Sequence, residues 1–204
     1  SQLDKDLKLV YEHITYSDRL VARKKDFIIH NPSRSGTRSS TATLDLRKRS
    51  AITNYEIEEY VLKGTPLEGL GRYFIEAEIE YGVNAVFLLS LAILESGWGR
   101  SAIARDKNNL FGFGSYDASP YRSSRTFSSK RACILYVARF IKENYLTESG
   151  KYFHGYTLAD VNKRYSSDPN WWRKVGSLMQ SINQKIIDSQ NTGYHREILI
   201  DEAR

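Results

Sequence analysis

The sequence holds one cysteine, one methionine, four prolines and four histidines among its 204 residues. A lone cysteine cannot close an internal disulfide. Cys133, flanked by Ala132, Ile134 and Leu135, reads as a small buried residue on a helix and a poor nucleophile. His13, His30, His154 and His195 lack metal-ligand spacing, so neither a zinc site nor any cofactor is expected. No apolar run reaches the length of a membrane span. No signal peptide is recognisable, so the targeting segment or anchor of an exported protein is expected upstream of this sequence. Internal repeats and nucleic-acid motifs are also missing, and no nucleic-acid partner is expected.

What is present describes a globular chain with 41% apolar and 12% aromatic residues. Thirty basic residues against 24 acidic ones give a net charge of +6, which favours contact with a polyanion. The stretch that organises the rest runs from Ala85 to Gly99. Ala85 to Leu94 is apolar apart from Ser90 and has no polar stripe at helical period, which predicts a helix buried on all sides. It ends in Glu95, followed by Gly97 and Gly99 with Trp98 between them, where the chain must turn. A carboxyl group at the mouth of a core loses hydration of its charged form, so its pKa rises, as a general acid near neutral pH requires. The plainer alternative is a glutamate that caps or salt-bridges a helix end.

Residues 1–52 read as an N-terminal extension. Leu3, Leu7, Val10, Ile14, Leu20, Val21 and Phe27 recur at helical spacing, followed by a basic linker from Asn31 to Thr41. Leu44 to Arg49 fits a strand or a turn. Residues 53–188 read as the main domain. Thr53 with Glu56 has capping-box spacing. Thr65-Pro66-Leu67-Glu68 predicts the start of a helix that ends at Gly82, and Asn84 should cap the buried helix. Ser101 to Arg105 predicts another helical turn. Lys107 to Tyr121, rich in Gly, Asn and aromatics, predicts a loop and short hairpin completed by Arg122 to Phe127. Helices follow from Lys130 to about Leu146, from Thr157 to about Tyr165, and from Asp168-Pro169 onward. Residues 189–204 read as a poorly ordered tail with little to bury.

Three sets of residues resemble the bacterial N-acetylglucosaminidase family, glycoside hydrolase family 73: Leu94-Glu95-Ser96-Gly97-Trp98-Gly99; Asn108-Asn109-Leu110-Phe111-Gly112 with Tyr116-Asp117 and Pro120-Tyr121; and Tyr165-Ser166-Ser167-Asp168-Pro169. The likeness covers about residues 55 to 187. It implies a mainly α, α+β architecture of lysozyme-like fold, with a helical lobe, a small β-hairpin lobe and a groove between them for a peptidoglycan glycan strand. By that resemblance Glu95 matches the general acid, and Tyr165 matches a tyrosine beside it that orients the N-acetyl group or a water; the plainer alternative for Tyr165 is a buried tyrosine that caps a helix junction. Trp98, Asn109, Phe111, Tyr116 and Tyr121 would contact sugar, although Phe111 fits the core of the small lobe equally well.

The departure from the family lies in the second carboxylate. Tyr121 to Ala132 contains four basic residues and no acid. Either Asp117 acts as base or electrostatic support, or the substrate's own N-acetyl oxygen attacks the sugar carbon. Asp117 also fits a turn-forming role. The resemblance implies an endo-acting wall hydrolase, an autolysin, located outside the cell in the wall or on the outer face of the membrane. A lytic transglycosylase of the same fold and a non-catalytic wall-binding module are the alternatives. Residues 1–52 would contact anionic wall polymer, a membrane anchor or a membrane-protein partner, or simply pack on the catalytic lobe.

Overall fold

The computed structural model describes residues 43–115 and 119–201, with side chains as far as Gln190. The amphipathic segment before Phe27, the linker around Arg34, and Tyr116 and Asp117 lie outside the described residues. The elements are α1 (Asn54–Ile57), a π-helical turn (Glu58–Leu62), α2 (Gly71–Tyr81), α3 (Ala85–Ser96), α4 (Ala102–Lys107), α5 (Pro120–Ser123), α6 (Lys130–Tyr145), α7 (Leu158–Tyr165) and α8 (Trp171–Asp201).

Helix α3 is the axis of the molecule. Every residue from Ala85 to Ile93 is buried, Ser90 included, because α2 and α8 pack against it. Helix α6 packs against α2, contributing Cys133, Ile134, Val137, Ala138 and Ile141 to the core. Helix α8 presents Trp171, Val175, Met179, Ile182 and Ile186 as one buried stripe at helical spacing. Each fully buried Phe or Leu side chain here contributes about 1.5–3 kcal/mol. Phe74, Phe87, Leu88, Leu89 and Leu91 form the centre of the core.

Local signals set most of the boundaries. Thr53 and Glu56 form a reciprocal capping box, as do Thr157 and Asp160. Gly82 ends α2 in the left-handed region at φ 64°. The Asn84 side chain accepts the Phe87 amide at 3.0 Å and opens α3. Ser101 caps α4, and Ser129 caps α6.

Four boundaries differ from the sequence reading. Thr65 and Glu68 close only a single turn, and Gly69 at φ 83° interrupts it. Helix α2 therefore begins at Gly71, where the Glu58 carboxylate accepts the amides of Gly69 and Gly71. That cap comes from eleven and thirteen residues away, so no local spacing announces it. Helix α8 begins at Trp171 rather than Pro169, because Asp168 accepts the Asn170 amide and shapes a turn before the helix. The same helix continues to Asp201, past the expected end near Ser189.

The fourth difference is the hairpin. The described residues contain no strand, and Pro120–Ser123 form a helical turn. Isolated backbone bonds join the two limbs, from the Arg125 amide to the Phe113 carbonyl and from the Phe127 amide to the Lys107 carbonyl, both at 2.9 Å. Leu44 to Arg49 resolves as a turn. Leu46 is fully buried and bonds through its backbone to Tyr156 and Asn84, so packing begins before residue 53.

Candidate active site

Three consecutive residues after α3 adopt left-handed backbone: Gly97 at φ 57°, Trp98 at 61° and Gly99 at 76°. Only Trp98 pays a side-chain penalty for this, of about 1–3 kcal/mol. Ser96 compensates. Its hydroxyl donates to the Ala92 carbonyl at 2.5 Å and accepts the Gly99 amide at 2.7 Å. The turn is further closed by the Trp98 amide on the Ile93 carbonyl and the Ser101 amide on the Ser96 carbonyl. Glu95 thus stands on the rigid last turn of a buried helix.

One side of Glu95 meets solvent. On the other, surrounding protein strips hydration from the carboxyl and raises its pKa, opposed in part by a hydrogen bond from the Trp171 indole. That N–H donates to Glu95 Oε1 at 3.3 Å. Among the described residues Glu95 takes part in no ion pair, so its environment favours the neutral acid.

Tyr165 ends α7 and is half-buried. Its ring lies 4.8 Å from that of Trp171, tilted by 31°, and 5.6 Å from that of Tyr145. Burial pushes its phenol far above the ordinary value, and the Glu95 charge pushes it further. Asn162 fixes the junction that brings these rings together. Its amide donates to the carbonyls of Ser166 and Asp168, and its oxygen accepts the Trp172 amide at 3.2 Å. Neither Trp171 nor Asn162 was singled out from the sequence. A polar Asn on the buried side of a short helix is a faint signal, and a tryptophan in an apolar stripe gives none.

The second set of predicted residues sits on the segment after α4. Asn109 is buried and its side chain is fully committed. It donates to the carbonyls of Phe113 and Arg125, both at 2.9 Å, and accepts the amides of Phe111 and Phe113. Phe111 is buried in the core. Tyr121 is exposed, with its hydroxyl donating to Asp106 at 3.1 Å and the Lys107 ammonium 4.8 Å from its ring centre. Trp98 is half-buried against the core.

The two sets are joined by a row of aromatic rings. Phe127, Tyr136, Phe113, Phe140, Tyr145, Tyr165 and Trp171 follow one another at centroid separations of 4.8 to 6.2 Å. Edge and tilted contacts of this kind hold ring planes in fixed orientation. The row ends at the indole that touches Glu95. Chemically, the arrangement offers a carboxyl group that reaches solvent and holds its proton to higher pH than an ordinary glutamate, backed by an unreactive aromatic support.

Residues 71–184 match the family model described as mannosyl-glycoprotein endo-beta-N-acetylglucosaminidase. A putative endo-beta-N-acetylglucosaminidase of Streptococcus pneumoniae serotype 4 is 43% identical over 141 residues, which is 66% of this chain and 21% of the relative. A beta-N-acetylglucosaminidase of Bacillus subtilis is 28% identical over 159 residues, covering 68% of this chain and 18% of the relative. The chain therefore spans about a fifth of the length of the relatives it matches. Among solved structures, a catalytic mutant of Staphylococcus aureus autolysin E in complex with the disaccharide NAG-NAM superimposes with a TM-score of 0.59 at 27% identity, covering 74% of this chain and 75% of the other. With the model matching more than half of its length, the chain belongs to the glucosaminidase family.

Proposed function

We propose that this chain is the catalytic part of a peptidoglycan hydrolase that cuts the glycan strand after N-acetylglucosamine, with Glu95 as general acid. The observation that carries the reading is the Glu95 carboxyl itself: raised in pKa by burial, free of any ion pair among the described residues, and open on one side. The autolysin E complex supports it, since there a glutamate was replaced to give the catalytic mutant and the bound molecule is NAG-NAM. A second autolysin E structure holds a muropeptide, which supports a wall glycan as substrate class. Relatives named bifunctional autolysin support a location in the wall, outside the cell.

In this reading Glu95 gives its proton to the glycosidic oxygen as the bond to the sugar carbon breaks. The carbonyl oxygen of the substrate's N-acetyl group closes on that carbon in place of an enzyme nucleophile. Water then opens the ring so formed and gives its proton to the Glu95 carboxylate, which restores the acid. Tyr165 orients the N-acetyl group. Asp117 is the carboxylate available for base or electrostatic support. Trp98, Tyr116 and Tyr121 supply the sugar contacts of a groove between the helical lobe and a small lobe built around residues 107–127. Asn109 and Phe111 hold the wall of that groove from within, because their side chains are buried. The part of residues 1–52 that precedes the packed Leu46 places the domain against anionic wall polymer or a membrane partner.

Digestion of purified peptidoglycan by the parent, Glu95→Gln and Asp117→Asn, with mass spectrometry of the fragments, tests the proposal. Reducing N-acetylglucosamine ends from the parent and none from Glu95→Gln support it. Anhydro-muramic ends would mark a lytic transglycosylase, and binding without cleavage a wall-binding module. Retained activity in Asp117→Asn selects substrate-assisted attack.

A further inference from the structure

We infer that Trp171 is a positioning residue for the acid: its indole N–H assigns Oε1 of Glu95 the acceptor's part and leaves Oε2 as the oxygen that carries and delivers the proton. This rests on the reading of Glu95 as general acid. An indole nitrogen donates one hydrogen bond and accepts none. A protonated carboxyl has one hydroxyl oxygen and one carbonyl oxygen, and the carbonyl oxygen is the better acceptor. With the donor fixed 3.3 Å from Oε1, the proton is favoured on Oε2.

The indole has little freedom to turn away. Trp171 is 3% exposed, lies tilted against the Tyr165 ring and begins α8 with its amide on the Asp168 carbonyl. Asn162 pins the same junction from both sides. Tyr165 in turn leans on Tyr145, whose hydroxyl donates to the Arg164 carbonyl at 3.4 Å. When Oε2 releases its proton to the glycosidic oxygen, the carboxylate charge that appears is met by the same N–H. A hydrogen bond to a charged acceptor is stronger than one to a neutral acceptor. Trp171 therefore orients the acid before transfer and stabilises its conjugate base afterwards.

The test is Trp171→Phe, which keeps a ring against Tyr165 and removes the N–H together with part of the buried indole, so its melting temperature is measured beside its kinetics and the pH limb is read as the signature that lost packing alone would not move. Expected are a loss in kcat of roughly 5- to 30-fold with little change in KM, and an alkaline limb of the kcat profile moved to higher pH, because the ionised form has lost its donor. An unchanged kcat with an unmoved limb overturns the inference. A second measurement needs no change at Trp171: the ¹⁵N–¹H resonance of its indole, followed against pH in the parent and in Glu95→Gln. It should titrate in the parent and stay flat in the variant. A flat indole in a parent enzyme that Glu95→Gln inactivates defeats this inference alone. Full activity in Glu95→Gln defeats the acid assignment, and this inference with it.

Discussion

The carboxylate of Glu78, near the end of α2, accepts the amide of Ala85, the first residue of α3, at 2.7 Å. The same Oε2 accepts the amide of Ser50 at 2.8 Å. Glu78 is fully buried, and it stitches three segments together where the free amides of α3 favour negative charge. The helix that ends in Glu95 is thus anchored at its beginning by a second, structural carboxylate.

Glu78→Ala should therefore leave two amides without their acceptor and cost about 2–4 kcal/mol. Glu78→Gln keeps an acceptor oxygen and should cost less. Thermal unfolding ranks the two against the parent, and below the transition each should keep a kcat close to the parental value. Parental melting of Glu78→Ala would show that α3 does not depend on this anchor.

The turn beyond Glu95 gives a comparison between two glycines. A Cβ on Gly99 would lie 2.8 Å from Leu67 Cδ2 and 3.4 Å from Pro66 Cβ, whereas one on Gly97 meets nothing within 4 Å. Both have positive φ, so each alanine pays backbone strain of about 1 kcal/mol. Only Gly99→Ala adds a clash with a fully buried leucine, worth roughly 1–3 kcal/mol more. Denaturant midpoints should fall in the order parent, Gly97→Ala, Gly99→Ala. Adding Leu67→Ala should relieve the clash in the last, so the double variant should lose less than the sum of the singles.

Asn109 supports a prediction of another kind. Its amide makes four contacts to the backbone of residues 111–125, and it is 1% exposed. Asn109→Asp is nearly the same size but loses both N–H donors and brings a buried charge, so it should destabilise about as much as Asn109→Ala, by roughly 2–4 kcal/mol. If Asn109 touched sugar instead, Asn109→Ala would raise KM at unchanged stability. Calorimetry and a KM measurement on the same preparation distinguish these outcomes.

Much of the frame was legible in the sequence because it is written locally. The capping pairs Thr53–Glu56 and Thr157–Asp160, the Asn84 cap and the left-handed Gly82 and Gly97 all act within a few residues. The unbroken apolar run from Ala85 identified the central helix for the same reason. What sequence reading missed is non-local. Glu58 caps α2 from a preceding turn, so the helix starts later than Thr65 and Pro66 suggest. Among the described residues the segment after Lys107 is held by side chains of Lys107, Asn108 and Asn109 on backbone carbonyls and contains no strand ladder, and glycine and aromatic content alone does not tell these apart. At the candidate site, Glu95 was identifiable from its place at the end of an apolar run. Its partner Trp171 lies 76 residues on, in a stripe that reads simply as core.

Holding Glu95 ready costs the fold stability. Burial raises its pKa above the ordinary 4.5, so between that value and the raised one the folded protein binds more protons than the unfolded chain. Stability from this group is fully present below about 4.5 and declines as pH rises through the folded pKa. At neutral pH the ionised carboxylate is a liability to the fold. Glu95→Gln removes the charge, keeps the shape and retains an acceptor oxygen for Trp171. It should therefore melt above the parent at neutral pH, and the difference should shrink as pH falls below 4.5. Catalysis should run with the same sign: parental kcat declines as pH rises through the raised pKa, because the acid must hold its proton. Melting curves of the two proteins from acid to neutral pH measure the first effect, and a kcat profile the second. A melting difference independent of pH would mean that Glu95 is no less hydrated in the folded protein than in the unfolded chain, and the assignment of the acid would lose its physical basis.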